Sequence, residues 1–172
     1  MSFQVEGKVA VLTGGSSGIG LAAVEILVAE GAKVAWCGRD EERLNASKHY
    51  ILEKFPHANI FTKACNVLKK EEVQQFAKEV KLNLGNVDML INNAGQGRVS
   101  NFENTQDEDW MKEIELKYFS VLHPVRAFLD DLKQSANASI TNVNSLLALQ
   151  PEPHMIATSS AQIGRASCRE RV

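Results

Sequence analysis

The sequence predicts an α/β domain built on a doubly wound parallel sheet, and three observations carry that prediction. Short apolar runs alternate with longer stretches of helical periodicity, a glycine-rich turn follows directly on the first apolar run, and the alternation repeats along almost the whole chain. Strands separated by helical crossovers pair in parallel and need helices on both faces of the sheet.

Val9-Ala10-Val11-Leu12 reads as the first buried strand. Gly18 to Glu30 is apolar on nearly every side through Ile19, Leu21, Val24, Ile26, Leu27 and Val28, which predicts a helix covered from several directions. Gly31 stops it, and Val34-Ala35-Trp36-Cys37 is the next strand. Asp40 opens a second helix, with Leu44, Ile51 and Phe55 on one stripe and Pro56 beyond its end. Ile60-Phe61-Thr62 is a weaker strand. Val73, Phe76, Ala77, Val80 and Leu84 follow helical spacing, and Val87 to Ile91 is the fourth strand. A long helix starts near Asp107, carries Trp110, Ile114, Val121, Val125, Phe128 and Leu132 inward, and is expected to kink at Pro124. Ala138 to Val143 makes the fifth strand.

With 172 residues, 44% of them hydrophobic and 23% charged, the chain suits one globular domain with its own core. A net charge of -2 gives no electrostatic reason to bind nucleic acid or an anionic membrane. Cys37, Cys65 and Cys168 have no metal-ligand spacing, no apolar run reaches the ~20 residues of a membrane span, and the N-terminus lacks a signal pattern. The expected setting is the cytoplasm, with no metal.

The turn itself is Thr13-Gly14-Gly15-Ser16-Ser17-Gly18-Ile19-Gly20. Glycines let the backbone approach a ligand closely, and the helix that follows offers unpaired N–H groups and a positive dipole end to phosphate. A turn of this kind between strand and helix predicts a Rossmann-type nucleotide site, with Gly14, Ser16, Ser17, Gly18, Ile19 and Gly20 as its cofactor-binding residues.

T-G-x-x-x-G-I-G resembles the cofactor turn of the short-chain dehydrogenase/reductase family. Asn92-Asn93-Ala94-Gly95 is similar to that family's N-N-A-G motif, and Asn142-Val143-Asn144-Ser145 to the segment bearing its catalytic serine. The resemblance runs from residue 5 to about 161. It implies hydride transfer between a nicotinamide and a small carbonyl or alcohol substrate, contacts from Asn93, Ala94 and Gly95, adenine contacts from Asn66 and Val67, and a full-length parent that assembles as a homo-oligomer. Gly38 stands where an acid would select NAD, and Arg39 follows; a guanidinium there favours NADP(H) over NAD(H), although Arg39 also suits a solvated helix start.

The catalytic set departs from the family. Ser145 matches the carbonyl-polarising serine, and would equally suit a helix N-cap. Thr158 occupies the tyrosine site and Gln162 the lysine site; the two tyrosines are Tyr50 and Tyr118, and no lysine follows Lys133. A threonine hydroxyl is a far poorer proton donor than a phenol, and His154 is a nearby titratable group that could substitute. Lys117 stands at the family's asparagine site as the one charged member of an otherwise apolar stripe, either supplying the missing cation or snorkelling to solvent. Ser145, Lys117 and Thr158 are therefore the catalytic candidates. The competing expectation is a nucleotide-binding module without hydride transfer.

Ile163 to Val172 has no apolar period and reads as a translated sequencing adapter. The expected division is an incomplete dinucleotide-binding domain over 1–162, lacking its C-terminal strands and helices, and a non-native tail over 163–172, the alternative being a genuine basic tail; on the adapter account the native codon at 162 begins with C, as codons for arginine and some other residues do. A fragment of this kind is expected to expose a strand edge and an uncovered apolar face.

Overall fold

A computed structural model describes residues 4–166. The predicted alternation is present: β1 (Val9–Thr13), α1 (Gly18–Ala29), β2 (Lys33–Gly38), α2 (Glu41–Lys54), β3 (Ile60–Ala64), α3 (Lys70–Leu84), β4 (Met89–Asn92), α4 (Asp107–Gln134), β5 (Ser139–Asn142) and α5 (Ile156–Ala166), with a short 3₁₀ turn at Leu146–Ala148. The sheet is parallel, in the order β3-β2-β1-β4-β5. The chain winds outward from β1 to β3, then returns to place β4 on the other side of β1. Beyond the carboxyl ends of β1 and β4 lies the crevice that such a reversal leaves for a ligand.

Strand periodicity sorts the core into two halves. Val9, Val11, Ala35 and Cys37 face α3 and α4, where Phe76, Val80, Phe128 and Leu132 meet them. Leu12, Val34 and Trp36 face the opposite way, against Val24 and Val28 of α1 and Leu44 and Ile51 of α2. This two-sided burial is why the strands read as continuous apolar runs. Phe76 ties the first half together, stacking on Phe61 with centroids 6.2 Å apart and meeting Phe128 edge-on at 6.1 Å.

Local signals hold the elements. Asp40 caps α2 by accepting from the Arg43 backbone N–H at 3.0 Å, and Glu41 and Glu42 favour the positive end of the helix. Asp88, just before β4, accepts from Val9 N at 2.9 Å and from the Ser135 hydroxyl at 2.6 Å, joining the starts of two strands to the end of α4.

Two expectations need correction. α1 buries only Gly20, Val24 and Val28, while Ile19 is 72% exposed, so this helix is covered along one stripe. In α4, Ile114 lies outside the buried face and Glu113 lies inside it, because the inward stripe also carries Lys117, Ser120 and Asp131. The same helix continues through Pro124. β5 lies at one edge of the sheet, with Ser139 and Thr141 exposed and Ile140 half-buried. Ile163 to Ala166 continue α5, and the rest of the tail lies outside the described residues. Among the described residues, no helix is long and apolar enough to cross a membrane.

Candidate active site

The loops at the carboxyl ends of all five strands enclose a cleft of about 810 Å3. Gly14, Ser16, Ser17, Ile19 and Gly20 line it from the first loop, Arg39 from the second, Asn66 and Val67 from the third, Asn93, Ala94 and Gly95 from the fourth, and Ser145 from the fifth. Gly18 begins α1 in the left-handed region, φ +54°, and is not among the lining residues.

The turn is built by close packing that only glycine permits. A Cβ on Gly20 would lie 2.1 Å from the carbonyl oxygen of Gly14 and 2.6 Å from Asn93 Nδ2. Asn93 Nδ2 donates to the carbonyl oxygens of Gly14 (2.9 Å) and Thr13 (3.2 Å), while the Thr13 hydroxyl accepts from the backbone N–H groups of Asn93 and Ala94, each at 3.1 Å. The first and fourth loops are thus one hydrogen-bonded body. The carbonyl of Cys37 accepts from Gly14 N at 2.8 Å and Gly15 N at 3.3 Å, which adds the end of β2.

At that end, a side chain on Gly38 would approach Ser16 Oγ at 3.0 Å. Glycine keeps the corner open, and Arg39 and Arg43 both reach the cleft beside it. Sequence reasoning missed Arg43, which in the first turn of α2 reads as an ordinary solvated residue. The third loop is held from two sides: Glu72 accepts from Asn66 N at 2.8 Å, and the His123 ring meets the Val67 carbonyl at 3.0 Å. That backbone contact, with Lys69 at 2.9 Å, lowers the Glu72 carboxyl below its ordinary range.

Two cysteines also line this end. Cys37 and Cys65 are buried thiols on the same sheet face, and their side chains are hydrogen-bonded to each other. The contact and burial push the Cys37 thiol up, while the same contact pulls Cys65 down. Cys65 is therefore expected to react with an alkylating agent before Cys37 as pH is raised. A ligand filling the cleft should slow that reaction, and peptide mapping with and without NADPH measures both effects.

The opposite end holds the catalytic candidates. Ser145 Oγ lies on the cleft and also caps the 3₁₀ turn, accepting from Leu147 N at 3.2 Å. Thr158 lines the cleft, but its hydroxyl donates to Glu113 Oε2 at 2.8 Å and accepts from Arg98 N at 3.1 Å. Lys117 is 1% exposed, which excludes snorkelling; it sits behind the cleft wall, bonded to the Gln96 carbonyl and facing Glu113. Gln162 lines the cleft, and its buried Oε1 has no hydrogen-bond partner among the described residues. His154 is a surface residue beside Glu152 and does not line the cleft, so it is no substitute for the missing tyrosine.

A family model described as short chain dehydrogenase matches residues 8–168. The chain belongs to that family. A 3alpha-hydroxysteroid dehydrogenase from Mediterraneibacter gnavus is 30% identical over 153 residues, covering 89% of this chain and 61% of that protein. A short chain oxidoreductase from Pseudomonas aeruginosa PAO1, solved with NADPH and described as containing an atypical catalytic center, is 56% identical with a TM-score of 0.90, over 91% of this chain and 61% of that one. L-sorbose reductase from Gluconobacter frateurii, solved with NADPH and L-sorbose, is 30% identical with a TM-score of 0.90, over 96% and 62%. This short chain dehydrogenase sequence therefore spans about three-fifths of the length of the relatives it matches.

Proposed function

We propose that the chain is the cofactor-binding part of an NADP(H)-dependent oxidoreductase that interconverts a small carbonyl compound and its alcohol. The observation that carries this reading is the convergence of three family motifs with Gly38, Arg39 and Arg43 on one cleft. Similar structures were solved with NADPH and, in a relative from Burkholderia phymatum, with NAD. The preference for NADP(H) rests on this chain's own residues.

The fit to a dinucleotide is physical. The Gly14–Gly20 turn, too close to its neighbours for any Cβ at Gly20, presents the start of α1 to the cleft and would hold the pyrophosphate. Arg39 and Arg43 offer guanidinium groups to a 2′-phosphate at a corner without a carboxylate side chain at position 38. Asn66 and Val67 would take the adenine, leaving the nicotinamide toward Ser145 and Thr158. When bound, the reduced nicotinamide would supply a hydride to the carbonyl carbon, and the proton that completes the alcohol would come from solvent water in the cleft. Ser145 Oγ, which accepts from Leu147 N, would donate to the carbonyl oxygen. Thr158 orients the wall of the site through Glu113 and Arg98.

Replacing Arg39 and Arg43 together by alanine should weaken NADPH binding about 100-fold, the loss of ~3 kcal/mol of charge-assisted hydrogen bonds. NADH affinity should move less than threefold. Equal losses for both cofactors, in a fluorescence titration, would remove the NADP(H) preference. The enzyme reading is tested on the whole protein with a panel of carbonyl compounds, where Ser145→Ala is expected to lower kcat about 100-fold.

A second reading, a nucleotide-binding module without turnover, is favoured by one observation: the Thr158 hydroxyl is already committed to Glu113. Binding without turnover, unaffected by Ser145→Ala, would establish it.

A further inference from the structure

Behind the inner wall of the cleft, Glu113, which none of the motifs includes, joins Lys117 and Thr158 in a polar cluster. Glu113 and Lys117 stand one turn apart on α4, and Thr158 reaches them from α5; all three are at most 3% exposed. Glu113 Oε2 accepts the Thr158 hydroxyl at 2.8 Å and lies 3.4 Å from Lys117 Nζ. Lys117 donates to the Gln96 carbonyl, and Arg98 N donates to Thr158 Oγ1 at 3.1 Å. One carboxylate thus joins two helices to the loop after β4.

Stability alone is a poor reason for this pair. Taking two charges out of water costs about as much as their attraction returns, and apolar side chains of similar volume often pack as well or better. The electrostatic consequence is clearer. Together Glu113 and Lys117 carry no net charge, whereas either alone would project a full charge through a medium that screens poorly. Gln96, Gly97 and Thr158, which touch or flank the pair, line the end of the cleft that also holds Ser145. On the proposed function, this end receives the nicotinamide. That ring is where the cofactor's charge changes, from a cation when oxidised to neutral when reduced.

We propose that Glu113 sets the balance between the two redox forms of the cofactor, because its carboxylate cancels the Lys117 ammonium beside the nicotinamide end of the cleft. Glu113 touches neither cofactor nor substrate; it is a positioning and specificity residue acting through Lys117. The inference rests on the cofactor reading of the cleft.

The test is the ratio of dissociation constants for NADP+ and NADPH, measured by titration calorimetry on the whole protein. Glu113→Gln keeps an acceptor for Thr158 but leaves the ammonium unbalanced, and should raise the ratio about tenfold by weakening NADP+. Lys117→Met leaves the carboxylate unbalanced and should lower the ratio by a similar factor. A lone buried charge tends to neutralise itself, so the first variant is read at about pH 6 and the second at about pH 9, each against the parent at the same pH. The double variant should return the ratio to within threefold of the parent. Glu113→Asp, which keeps the charge, should do the same.

A merely structural role would weaken both forms together. Unmoved ratios in the single variants overturn the proposal while leaving the cofactor reading intact. If Glu113→Gln fails to fold, Lys117→Met and the double variant still require a fall in the ratio and its return. A parent that binds neither form removes the cofactor reading, and this inference falls with it.

Discussion

Gly20→Ala is expected to cost at least 100-fold in NADPH affinity and roughly 6–12 °C in Tm, as follows from about 3 kcal/mol of enforced strain in a domain of this size. The added methyl carbon would sit 2.1 Å from the Gly14 carbonyl oxygen and 2.6 Å from Asn93 Nδ2. The first of these is backbone and cannot rotate away. Relief requires the turn to lift off α1, which breaks the Asn93 bonds that join the first and fourth loops. Gly18→Ala is the control: its Cβ would enter open space, and the cost is the left-handed backbone alone, about 1–2 kcal/mol. Fluorescence titration and thermal melts of both variants give the comparison. A Gly20→Ala protein that binds NADPH within fivefold of the parent would remove the turn from the site.

Phe76→Ala should have the largest effect on stability alone, about 3–5 kcal/mol, or roughly 6–20 °C in Tm. The ring is buried between Phe61 and Phe128, bridging a strand and two helices, and no small shift of a strand-bound neighbour can refill its volume. It lies outside the cleft lining, so affinity for NADPH measured well below the melt should stay within threefold. A comparable loss of affinity and stability would mean that this half of the core transmits strain to the site.

The fold and the glycine-turn end of the cleft were legible in the sequence because their signals are local. Val9 to Leu12 is a continuous apolar run because β1 is buried on both faces, Asp40 caps the helix it precedes, and the glycines of the turn are close together in the chain. The catalytic end was only half legible. Lys117 stands out as a cation in an apolar stripe, but Glu113 does not, since a carboxylate one turn earlier reads as part of the solvated face. Its burial depends on Thr158, 45 residues further on, closing over it. Arg43 and the Cys37–Cys65 contact were missed for the same reason: each acquires meaning only when separate loops meet at one sheet edge. The exposure of Ile19 and Ile26 on α1 was invisible to a pattern that marks residues as apolar without saying which neighbours are present.

Trp36 gives the protein an optical reporter of its own glycine turn. The indole is fully buried, its Nε1 donates to Ser47 Oγ at 3.0 Å, and its Cβ lies so close beneath Gly15 that a methyl group there would meet it at 2.5 Å. A reduced nicotinamide absorbs light where indole emits, so a cofactor held in the cleft would drain the excited state of this residue by energy transfer. Trp110, on α4, is the second emitter, and its replacement by phenylalanine would leave the Trp36 signal alone. Arrival and departure of the reduced dinucleotide can then be timed in a stopped-flow mixer without attaching a dye.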